Sequence, residues 1–423
     1  MNEPSESVRK QGTAEHNRNR SGFVEVLRVP SFRKLWIGQS ISQFGDGFYW
    51  LAIMLGVSDL TGGDIRAIGL VSISFMLPQL PIGLFGGPLI DRVNRRHLMI
   101  AADVARIFTT LVCILAYRWH SPPLFYAFAL IQAAISGLFV PAKNALIPQL
   151  VEDHQLLSAN TLSQTTQIGA MIFGPALAGF VIEHMGIPLA FVIDAVTFLL
   201  SALFLLTMAP VPTLGSGRLS VHRAWHDLNE GLRFAVRHAL VRNVILVVSV
   251  LFIGVGAVNV LWVPYLQHVF NATPQQIGLI DGFQGVGMLM GTLLMSRLTR
   301  YSPRALLLAG LTVVSLTFIG IGTAPTYVAI LGITAILGMA IPPAQASFLT
   351  LIQQVTPQVL MGRVNGAVGA ATNGAMLLSM ALATGFAAQI GLRESYILCG
   401  VVGVLAVLLG LHVLKDEPGQ VHR

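Results

Sequence analysis

The sequence predicts an all-α polytopic membrane protein whose twelve transmembrane helices form two six-helix bundles, related by a pseudo-two-fold axis along the membrane normal. Three observations predict it. Residues of the set AVILMFWYC make up 54% of the 423 positions, charged residues only 11%, and the mean hydropathy is +0.71. A soluble domain carries about 25% charged residues. Apolar stretches of about 20 residues recur along the chain, each long enough to cross a hydrocarbon core as a helix. Finally, a short charged segment between the second and third stretches has an echo in the second half. Gly87-Pro-Leu-Ile-Asp91-Arg92-Val-Asn-Arg95-Arg96 is followed by Gly291-Thr-Leu-Leu-Met-Ser-Arg297-Leu-Thr-Arg300, with Arg92 and Arg95 matched by Arg297 and Arg300 at an offset of 205. Backbone groups in hydrocarbon find no water, so the stretches must be helices.

Taken in order, residues 1–34 are polar and contain no apolar core ahead of a small-residue cleavage site, so they read as a cytoplasmic tail and not as a signal peptide. The N-terminal bundle, 35–210, holds spans at 35–57, 67–90, 98–118, 123–142, 161–183 and 188–209. A connector, 211–242, opens with Pro212-Thr-Leu-Gly-Ser-Gly217. It then turns amphipathic: Trp225, Leu228, Leu232, Ala235 and Ala239 recur at helical spacing among Arg223, Asp227, Glu230, Arg233 and Arg237. That pattern predicts a helix lying at the membrane surface. The C-terminal bundle, 243–414, holds spans at 243–267, 276–296, 304–323, 326–350, 366–389 and 394–414, ahead of a short tail, 415–423.

Charge placement sets the orientation. Of 26 Lys and Arg residues, 22 lie on one side, only Arg66, Arg118 and Arg393 on the other, and Arg106 inside a span. Basic loops stay in the cytoplasm, which puts both termini there and the protein in the cytoplasmic (inner) membrane. The net charge of +7 follows from this asymmetry and does not point to nucleic acid. Cys113 and Cys399 fall in separate spans and read as buried hydrophobes, not as a disulfide framework. Asn271-Ala-Thr273 matches a glycosylation acceptor, a tripeptide common by chance. The sequence offers no metal or cofactor motif.

Ionisable residues within spans are the transport candidates, because each costs at least ~2.5 kcal/mol at the bilayer centre unless it faces a cavity or a partner. Asp46 sits midway along the first span between Gly45 and Gly47, either as a proton carrier or as the cap of a helix interrupted at the glycines. Asp103 and Arg106 share one face of the third span, as a structural pair or as a proton-released switch. Asp194 lies within two turns of the outer end of the sixth span, either coupling or bonding a neighbouring helix. Asp281, near the outer end of the eighth, reads as reaching water. Gln39, Gln43, Gln132, Gln164, Gln167 and Asn373 are polar groups able to line a cavity, with Phe48 and Trp262 as aromatic surface. Gly83-x-x-x-Gly87 and Gly287-x-x-x-Gly291 are close-packing signals.

The halves repeat again: Leu146-Ile-Pro-Gln149-Leu150 leads to Asn160 as Leu351-Ile-Gln-Gln354-Val355 leads to Asn365. Such parallel repeats place a substrate path between the halves near the midplane. At this point the chain resembles the major facilitator superfamily. Gly87-x-Leu89-x-Asp91-Arg92-x-x-Arg95-Arg96 is similar to the family's loop 2–3 signature, with Asn94 where a Gly is usual. Gly174-Pro175-x-x-x-Gly179 resembles the family's antiporter motif, with Ala170 where a Gly is usual. Leu157-Ser-Ala-Asn160, Asp194-Ala-x-x-Phe198, Glu230-Gly-Leu-Arg233-Phe234 and Gly362-Arg363-Val364 resemble the drug:proton antiporter branch that includes macrolide and siderophore exporters.

The resemblance implies a secondary transporter, acting as a monomer among membrane lipids, that exports an amphipathic small molecule against protons by alternating access. It implies a cytoplasmic gate at Asp91, Arg92, Arg95 and Arg96, with Arg297, Arg300 and Arg363 as counterparts. In the second copy of the repeat Ser296 stands for the acid. Uptake, lipid flipping without proton coupling, and a transporter-derived sensor stay open. An enzyme does not fit: there is no H-E-x-x-H and no G-x-x-x-x-G-K-[ST].

Overall fold

The computed structural model describes residues 22–90, 93–211 and 221–414, and side chains throughout these except at 84–89, 221–227 and 388. Among the described residues every regular element is helical. The first half contains α1 (Pro30–Thr61), α2 (Ile65–Met76), α3 (Gln79–Ile90), α4 (Arg95–Arg118), α5 (Pro122–Leu146), α6 (Leu156–Met185) and α7 (Ile187–Leu206). The connector forms α8 (Val221–Arg237). The second half contains α9 (Ala239–Phe270), α10 (Pro274–Leu298), α11 (Pro303–Thr323), α12 (Tyr327–Val355), α13 (Met361–Ile390) and α14 (Leu392–Val413).

Two spans differ from expectation. The second is broken into α2 and α3 at Leu77-Pro78, where proline removes one ladder donor. Eleven helical stretches among the described residues are long and apolar enough to cross a membrane, and α1 is not among them. At 32 residues it has the length. Gln39, Ser40, Ser42, Gln43 and Asp46 dilute its apolar character, and it is shielded by α6 and α7 packed against it.

The duplication is visible in how the helices are capped. Gly62 and Asn271, both left-handed at φ 64 and 51, end α1 and α9 and lie 209 residues apart. Asn94 and Ser302, whose side chains accept from the third amide beyond them, begin α4 and α11 and lie 208 apart. Gly186 and Gly391, at φ 89 and 98, begin α7 and α14 and lie 205 apart. The register shifts because α4 has 24 residues and α11 only 21. The echo at 205 is therefore a coincidence of pattern at the loop after span two. At the spacing the caps define, Arg92 corresponds to Arg300, Arg96 to Arg304, and the position of Asp91 to Thr299, not Ser296. Asp91 and Arg92 themselves lie outside the described residues.

One end of the bundle carries both described termini: Asn243 Nδ2 donates to Val413 O at 2.9 Å, and Asn94 Nδ2 to Val211 O at 2.7 Å. We call it the termini end and the opposite one the distal end. At the termini end Arg96 donates from Nε and Nη2 to Leu205 O and Leu206 O, at 2.8 and 2.7 Å. Arg95 Nη1 donates to Ala145 O at 2.8 Å. Both thus satisfy the orphan carbonyls that end α7 and α5, where a cation also meets the negative pole of the helix dipole. Arg96→Ala is expected to cost about 1.5–3 kcal/mol, the range for hydrogen bonds to a charged group. Thermal melting of the purified protein checks this. Arg96→Lys should recover less than half, since one ammonium does not reproduce a planar fork.

The connector helix does not lie free on a surface. Gly231 packs so closely on α13 that a Cβ there would fall 2.1 Å from Arg363 O, and Arg363 Nη1 pairs with Glu230. Leu228 and Ala235 are buried against the bundle, but Leu232 is exposed, and Ala239 belongs to α9. The side chains of Trp225, Arg223 and Asp227 lie outside the described set. Arg297 and Arg300 are exposed, the latter 4.9 Å from the Tyr301 ring centroid. Cys113 and Cys399 are free and buried.

Candidate functional site: a cavity between the halves

Asp46 is positioned by its two glycine neighbours. A Cβ at Gly45 would fall 2.0 Å from Thr197 Oγ1 and 2.7 Å from Asp194 Oδ1, and one at Gly47 would fall 3.0 Å from the Gly174 carbonyl carbon. The glycines let α7 and α6 close on α1 from two sides, and Asp46 is left exposed to the space between the halves. Helix α1 runs unbroken through this point, so Asp46 does not cap an interruption. Gly45→Ala is expected to cost about 1–3 kcal/mol by overpacking, read as a lowered melting temperature.

That space is a cavity of about 880 Å³. From α1 it is lined by Gln39, Gln43 and Asp46, which share one helix face. Ser42, Arg106, Ser136, Lys143 and Gln167 complete the polar part of the first half's wall. The second half supplies a largely aliphatic and aromatic wall containing Trp262 and Asp281. Gln39 Nε2 donates to Ser201 Oγ at 3.4 Å.

Asp103 and Arg106 do pair. Asp103 is fully buried and accepts from Arg106 Nη2 and, at 2.7 Å, from Ser201 Oγ. The guanidinium of Arg106 lies 4.1 and 4.2 Å from the ring centroids of Phe139 and Phe198, a cation–π sandwich in a desolvated setting. Arg106 reaches the cavity and Asp103 does not. Asp194, also fully buried, accepts from Thr110 Oγ1 at 3.1 Å and sits behind Gly45.

Four expected wall residues lie elsewhere, which corrects their assignment. Phe48 is packed in the core, because it falls on the face of α1 turned from the cavity. Gln132 is buried and accepts from Thr109 Oγ1 of α4. Gln164 is exposed but off the wall, and Asn373 yields its place to Thr372. Two charged wall residues were missed. Lys143 falls just beyond the span expected at 123–142, yet α5 continues past Pro141 to Leu146 and carries it onto the wall. Asp281 was read as reaching water, but it lies seven residues into α10, roughly 10 Å from the helix start at 1.5 Å per residue. The spacing of Asp281, Gln284, Gly285 and Met288 on one face was the available signal.

The halves meet at the distal end. A Cβ at Gly179 would fall 2.4 Å from Pro274 O, and one at Gly278 2.1 Å from Pro175 O, so the Gly174-Pro175…Gly179 motif is where α6 and α10 touch. Ser58 Oγ donates to Gln267 Oε1 at 2.5 Å, and Gln275 N to Glu183 Oε2 at 2.9 Å. Beyond this contact Gly287 and Gly291 pack on Ala335 and Met339 of α12. Gly83 has no neighbour at its Cβ position. Asn271 and Thr273 are taken up in ending α9 and capping α10.

The sequence profile described as Major Facilitator Superfamily matches residues 35–258 and 244–423, nearly the whole chain. The chain belongs to the major facilitator superfamily. Within the superfamily it is 28% identical over 410 residues to the MFS-type transporter YfiS of Bacillus subtilis, covering 94% of this chain and 93% of that one. It is 25% identical over 378 residues to macrolide efflux protein A of Streptococcus pyogenes (87% and 92% covered). It is 26% identical over 410 residues to the enterobactin exporter EntS of Escherichia coli (93% and 95% covered). Among solved structures, a bacterial homologue of the iron transporter ferroportin in an inward-facing state superposes with a TM-score of 0.73 at 16% identity, covering 92% of this chain and all of that one. That likeness speaks for the superfamily fold alone. The protein is a multi-pass membrane transporter with efflux proteins among its relatives, not an enzyme.

Proposed function

We propose that this superfamily member is a proton-coupled exporter of amphipathic small organic molecules, working by alternating access as a monomer in the cytoplasmic membrane with both termini inside. The bundles are residues 35–210 and 243–414, tethered by 211–242. The observation that carries the reading is Asp46, a carboxyl exposed to a large cavity from the middle of a membrane helix, on a wall it shares with Arg106 and Lys143. Such a group exchanges a proton with the cavity as the cavity changes sides. The apolar remainder of the wall suits an amphipathic cargo. Macrolide efflux protein A and the enterobactin exporter, as relatives, support the outward direction.

The test is accumulation of a radiolabelled macrolide, radiolabelled enterobactin and radiolabelled tetraphenylphosphonium in everted vesicles carrying an imposed pH gradient. The proposal expects at least one to accumulate in proportion to the protein present and to be lost when the gradient is collapsed. Accumulation that survives the collapse points to uncoupled flipping, and accumulation of none removes the export reading for these classes.

A further inference from the structure

The two carboxylates on the cavity wall differ in their surroundings. Asp46 shares the first half's wall with Arg106 and Lys143. Among the described residues Asp281 is the only charged one lining the second half's wall, and none of them forms an ion pair with it. Its Oδ1 accepts from Trp262 Nε1 at 2.9 Å, which fixes the carboxylate against α9. Its Oδ2 is buried without any hydrogen bond. An ionised carboxylate with one oxygen braced and the other unsatisfied, in a largely apolar wall, lacks a positive partner. Trp262 lines the same wall and adds an aromatic surface, the side-chain type that attracts organic cations most strongly. Asp281 also stands one turn after Gly278 and directly before Gly282, which pack on Pro175 and Ile172 of α6. The acceptor therefore lies beside the contact of α6 with α10 that joins the two halves.

We propose that Asp281, braced by Trp262, is the recognition site for the positive centre of an organic cation, on the half opposite Asp46. The inference rests on the transporter reading of the cavity, and it separates cargo recognition in the second half from proton exchange in the first. It makes charge sign, more than shape, the criterion for entry at this point.

The experiment is equilibrium binding of tetraphenylphosphonium and of tetraphenylborate to the purified full-length protein in detergent. The two probes match in size and apolar surface and differ in the sign of charge. Wild type should bind the cation at least about 10-fold more tightly than the anion, the ratio expected for one favourable charge contact. Asp281→Asn should lose about 10-fold or more of cation affinity and gain nothing for the anion, and Asp281→Glu should keep at least about a third of wild-type affinity. Trp262→Phe, which keeps the aromatic face and releases the brace, should lose about 3-fold. Elution profile and melting temperature establish that each variant is folded. Should Asp281→Asn fail to fold, the wild-type ratio together with Trp262→Phe decides. Equal binding of both ions, no binding of the cation, or full affinity in a folded Asp281→Asn overturns the proposal. Binding without movement across vesicles keeps the site and removes export. Gradient-driven movement of the cation that Asp281→Asn leaves intact does the reverse.

Discussion

Asp46→Asn is expected to reduce gradient-driven accumulation to the level of empty vesicles, while equilibrium exchange of labelled for unlabelled cargo stays within about 3-fold of wild type. The two activities part because exchange needs only that the cavity change sides when loaded, whereas accumulation needs a group that carries a proton on one leg and not on the other. Asp46 is exposed to the cavity at the middle of α1 and is almost isosteric with the amide. The surrounding glycine contacts involve its neighbours, Gly45 and Gly47, and are undisturbed by the change. A loss of both activities together would assign Asp46 to the helix scaffold, and retention of both would remove it from the mechanism.

Gly278→Leu should have an effect of similar size by a different route. Its Cβ position lies 2.1 Å from Pro175 O, a contact between the halves that alternating access requires to part when the distal end opens. A side chain there cannot be accommodated by rotating a neighbour, because the obstacle is backbone. The distal-closed arrangement is penalised and the alternative one is not, so the population shifts and the cycle stalls. Transport should fall at least about 10-fold with the protein still folded, a shift of ~1.4 kcal/mol or more between the two arrangements. A cysteine pair at Ser58 and Gln267, whose side chains meet at 2.5 Å, reports on the same closure. Oxidative cross-linking of that pair should be efficient in the parent and suppressed by Gly278→Leu. Unchanged cross-linking would mean that the α6–α10 contact does not control the distal end.

Much of this architecture is written in short-range pattern. Hydropathy places the helices, and the spacing of Gln39, Gln43 and Asp46 already puts them on one face. What stayed hidden depends on chain segments far apart. Arg95 and Arg96 read as gate charges, and each also donates to carbonyls 50 to 110 residues away, at helix ends whose position no local signal reveals. The repeat at Arg92 and Arg95 slipped by three residues, because a count along the chain cannot see that α11 is shorter than α4. Gln132 and Phe48 were polar or aromatic residues of the right kind on the wrong side of their helices, and rotation about a helix axis is set by packing, not by composition. Lys143 was lost for the opposite reason: its charge suggested a loop, whereas α5 extends beyond it and lends it to the cavity.

The central claim is that cargo and protons move in opposite directions through this cavity by way of Asp46. The direct measurement is internal pH, read from an entrapped fluorescent dye in proteoliposomes, on addition of tetraphenylphosphonium. The account predicts a cargo-dependent pH change that reverses when the cation gradient is reversed and vanishes in Asp46→Asn. A pH change of the same size in that variant, or none in wild type while the cation crosses, would contradict it.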